Sequence, residues 1–189
     1  MTLLGDVDAA VPSAAPGKRR QLAAEPGDAV GYEGRLWLTR PRPGVDRMAS
    51  AWLIRRFIDS TARFGFMTDV KTAGDAVPFD MFGGGFGHEG DRCTFETLTS
   101  RFGVRDAAVA RIAEIVHDLD FKDGKFGAPE SATLGIAIDG LQLSSADDNM
   151  LLEQGMTLFE ALYRSFAQSI QRPRPRSVVT RKPKNRRPQ

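Results

Sequence analysis

RLWLTRPRPGVDRMASAWLIRRFIDS, residues 35–60, joins a short strand to a helix and so sets the class of fold. Its first six residues, bounded by Gly34 and Pro41, read as a short strand. The proline-rich turn at 41–44 ends that strand, and Asp46 is placed to cap a helix that carries Met48, Trp52, Leu53, Ile54, Phe57 and Ile58. These apolar residues nearly encircle the helix axis, so the helix must be packed on almost every side. A strand leading into a buried helix calls for both sheet and helices around one core.

Further along, RFGFMTDV at 63–70 and VPFDMF at 77–82 read as two more short strands, followed by the glycine-dense FGGGFGHEGD at 82–91. From there the periodicity is helical. Thr94 to Phe102 repeats Phe95, Leu98 and Phe102. Asp106 caps a helix with Val109, Ile112, Ile115, Val116 and Leu119 on one side. Pro129 opens a helix to about Leu143, and a last one spans about 146–168. The fold class expected is α+β: a single domain over 34–170, with short strands near the N-terminal half and a helix-rich C-terminal half. Residues 1–33 read as a flexible leader, and 171–189 as a basic, disordered tail.

The chain has 189 residues, 41% hydrophobic and 26% charged, which excludes a disordered polypeptide, a coiled coil and a collagen. No apolar run approaches the roughly 18–20 residues of a membrane span, and Asp6 and Asp8 stand where a secretory signal carries basic residues. A cytoplasmic protein with no membrane partner is expected. One cysteine, Cys93, excludes an internal disulfide and cysteine-rich zinc modules. The eight basic residues of 171–189 outweigh the formal charge of +2 and leave −6 for the rest. Nucleic acid or an acidic partner is conceivable at that tail; a solubilising end is the plainer reading.

The only histidines, His88 and His117, each lie among acids: His88 with Cys93 and Glu96 downstream, His117 with Glu114, Asp118 and Asp120. Imidazole with carboxylate or thiolate from separate elements is the donor set of a transition-metal site. A helical wheel puts His117 and Asp120 at the border of the buried face, and Asp118 with Arg111 on the opposite side. Asp120 therefore requires a metal, an arginine or Lys122 as partner. Hydrogen bonds to neighbours would satisfy His117 and Asp120 equally well. Cys93, at a helix start, is a further ligand or a redox thiol, or, as is commoner for a lone cysteine, a small buried residue. Arg40, Arg42, Arg47, Arg55 and Arg56 surround the start of the Trp52 helix and suit a tetrahedral oxyanion, or the pairing of Arg55 with an acid.

Other patterns fail on context. Gly85-x-Gly87-x-x-Gly90 lacks the repeated βαβ surroundings of a dinucleotide fingerprint, so no nucleotide cofactor is expected. The segment from Asp118 lacks the third oxygen ligand and turn glycine of a calcium loop. A di-metal bundle needs a further histidine, and a His…His-Asp phosphohydrolase site would need Asp118 to face inward. The glycines instead suit a loop that presents His88 at a cleft.

Trp37-Leu-Thr-Arg40, Val45-Asp-Arg-Met-Ala-Ser-Ala-Trp-Leu-Ile-Arg-Arg-Phe-Ile-Asp59, Pro78-Phe-Asp-Met81, His88, Cys93-Thr-Phe-Glu96, Ile115-Val-His-Asp118 and Lys122-Asp-Gly-Lys-Phe126 together resemble the C-terminal domain of the ChrB chromate-resistance proteins. The resemblance covers about residues 35–168. It implies a role in bacterial chromate resistance, with full-length members acting as chromate-responsive regulators of an efflux operon through a preceding DNA-binding region. About 34 residues precede the domain here, so autonomous transcriptional control is not expected. The reading adopted is a domain binding a transition metal (Zn, Fe, Mn or Ni) and/or an oxyanion such as chromate. His88, Glu96, His117 and Asp120 are the metal ligands, Cys93 and Asp118 accessory groups, and Arg40, Arg47, Arg55 and Lys122 the anion contacts. A metal-dependent hydrolase or redox enzyme on the same cluster, and a DNA- or partner-binding regulator using the tail, are the alternatives; homo-oligomerisation is left open.

Overall fold

A computed structural model of the chain describes residues 31–171. The leader through residue 30 and the basic tail from residue 172 lie outside the described residues. Three short strands, β1 (Leu36–Thr39), β2 (Arg63–Phe66) and β3 (Val77–Pro78), form a sheet in the order β2-β1-β3. Both pairings are parallel, with Trp37 opposite Phe64 on one side and Val77 on the other. Trp37, Leu38 and Thr39 are all buried, as the central strand of a parallel sheet covered on both faces must be. Five helices follow or interleave: α1 (Val45–Leu53), α2 (Thr94–Arg101), α3 (Ala107–Phe121), α4 (Ser131–Ser144) and α5 (Asp148–Gln171). Sheet near the N-terminal half and helices beyond it make this the expected α+β domain.

Helix α1 is the hub. It packs against α2, α3 and α5, and Met48, Ala49, Ala51, Trp52, Leu53 and Ile54 are essentially inaccessible, which accounts for its all-round apolar sequence. α5 approaches it at Gly155, where an added Cβ would lie 2.4 Å from Met48 Cγ. Past Leu53 the helix widens into a π-turn, Ile54–Ile58, and delivers Asp59 to the start of β1. There the Asp59 carboxylate accepts from the N–H groups of Gly34, Arg35 and Thr61 and from Trp37 Nε1, at 2.9 to 3.2 Å.

Three local expectations are corrected. Asp46 does not cap α1; Gly44 precedes that helix, and Asp46 lies in its first turn, turned toward α2. Its carboxylate accepts from Thr94 N–H (2.9 Å) and Phe95 N–H (2.8 Å), so it caps a different helix from the one it belongs to. Of the strand expected at 77–82 only Val77–Pro78 joins the sheet. The chain then folds back: Phe86 N–H donates to the Pro78 carbonyl, and Gly85, at φ 72°, passes so close that a Cβ there would stand 1.9 Å from that oxygen. The packed structure also starts before residue 34, because Tyr32 is buried and its ring stacks on Trp37. As expected, Asp106 caps α3, accepting from Ala108 and Val109 N–H. The helix after Pro129 begins at Ser131.

Candidate metal centre

The carboxyl end of the sheet opens into a cleft of about 570 Å³, the position at which open parallel sheets present ligand sites. Arg40 follows β1, Asp46 and Arg47 occupy the first turn of α1, and Asp80 follows β3. His88 comes from the glycine-rich loop, and Asp120 projects from the last turn of α3. His88 Nε2 faces two carboxylates at once, Asp46 Oδ2 at 3.3 Å and Asp120 Oδ2 at 3.1 Å. One ligand atom from each of the three residues lies within 4.8 Å of the others. Among the described residues this is the one grouping of three His, Cys, Asp or Glu side chains that meets that distance.

The three groups are held differently. Asp46 is 3% exposed and fixed by the two α2 amides, whereas His88 is 42% exposed and reaches the cleft from its loop. Asp120 is partly buried beside Asp46; burial first, and the Asp46 charge second, push its carboxyl up to about 6. The hydrogen bond to Asp46 raises the His88 imidazole above its ordinary value. Two carboxylates crowded together repel one another and attract a charged imidazole between them, so on top of burial at Asp120 and the Asp46 hydrogen bond at His88 both groups hold their protons to higher pH than usual.

Arg40 and Arg47 line the same cleft. Arg40 Nη2 donates to Asp80 Oδ2 at 2.9 Å, Arg40 Nε to the Asp80 carbonyl at 2.9 Å, and Arg47 Nε lies 3.4 Å from the same Oδ2. Burial pulls the Arg47 guanidinium below its ordinary value, with the Asp80 charge opposing that shift. Asp80 itself sits at φ 46°, a left-handed conformation in which Asp and Asn are tolerated better than most residues.

The family described as ChrB, C-terminal domain, matches residues 37–166. The chain belongs to this family. Protein ChrB of Cupriavidus metallidurans is 38% identical over 142 residues, which is 74% of this chain and 43% of that protein. The match thus spans less than half the length of that ChrB relative. No solved structure matches the chain. All six cleft residues, Arg40, Asp46, Arg47, Asp80, His88 and Asp120, fall inside the ChrB C-terminal region.

Within this ChrB domain the four ligands read from sequence divide into two clusters. His88 and Asp120 meet, with Asp46 as the third member. His117 is buried elsewhere, its Nδ1 2.7 Å from Glu96 Oε2 and its Nε2 3.4 Å from Asp123 Oδ2. The Phe121 ring packs against both imidazoles, with centroid distances of 5.2 Å to His88 and 4.6 Å to His117. Glu96 also accepts from Cys93 N–H, so it holds the α2 start and the His117 ring together.

Cys93 is fully buried, and burial pushes its thiol far above the ordinary range, the opposite of an activated thiolate. Asp118 turns back to the following loop, accepting from Phe126 and Ala128 N–H. Arg55 is drawn to Glu153 of α5 and Arg56 to Glu160, both away from the cleft. Arg42 donates to the Ser145 and Gln142 carbonyls. Lys122 is the exposed residue after α3, at φ 57°.

Asp46 and Asp80 were missed as site residues. For Asp46 a signal existed: an acid inside a helix with apolar residues on nearly every side needs a partner, by the reasoning applied to Asp120. Asp80 carries no comparable local mark.

Proposed function

We propose that the chain serves chromate resistance or response, and that its cleft is a divalent transition-metal site built from Asp46, His88 and Asp120. An oxyanion such as chromate is received at the Arg40–Arg47 wall. The observation that carries the reading is the convergence of one imidazole and two carboxylates from three separate elements, with Asp46 locked in place by backbone amides. One nitrogen and two oxygen donors suit Zn, Fe, Mn or Ni, and three protein ligands leave positions open for an exogenous oxygen. A metal held there would act as a Lewis acid toward such an oxygen. The residues of the chain orient the ligands, supply positive charge at Arg40 and Arg47 and, through His88, release a proton on metal binding. Glu96 and His117 then support the site from behind rather than ligating.

Elemental analysis of the chain purified without chelator tests this. Near one equivalent of a single transition metal is expected, lost in His88→Ala and in Asp120→Asn and kept in His117→Ala. Metal retained in the first two variants, or none taken up by the wild type on reconstitution, overturns it. The open coordination positions also favour a second reading as a metal-dependent enzyme; turnover of phosphate esters that disappears with the metal would select it.

A further inference from the structure

We infer that the cleft accepts a tetrahedral oxyanion only after a divalent cation, and that Asp80 is the resident carboxylate excluding anions from the metal-free state. This rests on the metal site proposed above and concerns its regulation. Both guanidiniums of the wall are engaged by one side chain: Asp80 Oδ2 takes Arg40 Nη2 and faces Arg47 Nε, while Oδ1 accepts from Thr94 Oγ1 at 3.4 Å. An incoming anion therefore meets arginines that already hold a carboxylate in the place a ligand oxygen would occupy.

The charge count points the same way. Asp46, Asp80 and Asp120 oppose Arg40 and Arg47, so among these five groups of the metal-free cleft the acids outnumber the arginines by one. Glu89, at the rim, is paired by both Arg92 and Arg101 and so does not enlarge that excess of acid. A divalent cation held by Asp46, His88 and Asp120 would reverse that excess and would supply a Lewis acid in the cleft that Arg40 and Arg47 also line. Only that state attracts a dianion into a partly enclosed space, where charge is weakly screened. By linkage, the anion must then raise the affinity for the cation by the same factor.

The test uses the full chain, Mn²⁺ as the metal and radiolabelled sulfate as the tetrahedral dianion, in equilibrium dialysis near neutral pH. Sulfate binding is expected to strengthen at least about 10-fold when Mn²⁺ is present, and Mn²⁺ binding to strengthen equally with sulfate. Asp80→Asn, a substitution suited to the left-handed backbone, should let sulfate bind without metal and reduce the dependence on Mn²⁺. Arg40→Gln should lose sulfate from the Mn²⁺-loaded protein while Mn²⁺ stoichiometry is kept. Circular dichroism confirms that each variant is folded. Equal sulfate binding with and without Mn²⁺ overturns the inference, as does stoichiometric Mn²⁺ with no sulfate in either state, although the metal site itself then stands. Absence of Mn²⁺ and every other transition metal overturns the reading beneath it.

Discussion

Asp59 and Asp120 are both aspartates at the end of a helical segment, and their surroundings drive them in opposite directions. Burial works against the Asp59 carboxylate, but hydrogen bonds from Gly34, Trp37, Arg35 and Thr61 outweigh it and hold the group below its ordinary 3.8. A carboxyl lowered by folding contributes stability that is complete above its unfolded value and lost as pH falls through the folded one. Asp59→Asn should therefore cost about 2–3 kcal/mol at neutral pH in urea unfolding. The deficit should narrow on acidification below pH 3.8. A deficit independent of pH would refute the charge argument. Asp120 is raised from 3.8 to about 6, so its ionisation opposes folding of the metal-free chain increasingly as pH rises between those values. Asp120→Asn should stabilise the chelator-treated protein at pH 7 by on the order of 1 kcal/mol, allowing for solvent screening, and by less below pH 3.8. The same substitution should remove metal binding, the exchange of stability for function typical of ligand sites.

At the scale of elements, α1 matters because α2, α3 and α5 all pack on it. Its first turn supplies Asp46 to the cleft and to the α2 amides, its middle receives α5, and its π-turned end sets Asp59 against β1. The α1–α5 approach depends on Gly155, since a Cβ there would come within 2.8 Å of three Met48 side-chain atoms. Met48 is flexible but fully buried, so it has little room to withdraw. Gly155→Ala should cost about 1–3 kcal/mol in thermal or urea unfolding despite the better helix propensity of alanine. Unchanged or increased stability would show that α5 can shift away. The α2 start is a second shared element: Asp46 and Glu96 both accept from its first amides, and each also faces a histidine, His88 and His117 respectively.

Across the whole molecule, the cleft combines groups at the carboxyl end of the sheet with Asp120 from the far end of α3. No single element holds more than a fragment of the site. Among the described residues no helix is long and apolar enough to cross a membrane. Exposed Ile136 and Leu143 leave α4 as the least buried of the helices beyond the sheet, away from the cleft lining. Burial is concentrated instead around α1, where Trp52 Nε1 donates to Glu160 of α5 and the Trp52 ring lies nearly parallel to that of Phe95 of α2.

The sequence alone determined the features that depend on neighbours within a turn or two. Apolar residues bounded by Gly34 and Pro41 marked β1, all-round apolarity marked α1 as buried, Asp106 marked the start of α3, and the glycine run marked a loop carrying His88. The wheel position of Asp120 announced a buried acid in need of a partner, though not which partner. Only the tertiary structure decided that the partners are His88 and Asp46, that His117 is drawn instead to Glu96, and that Asp80 stands between the two arginines. Helix and strand periodicity are imposed by the backbone geometry of adjacent residues, so they are legible locally. The pairing of Asp46 with the α2 amides and with His88 spans more than forty residues and follows from how α1, α2 and the loop pack, which no local pattern encodes.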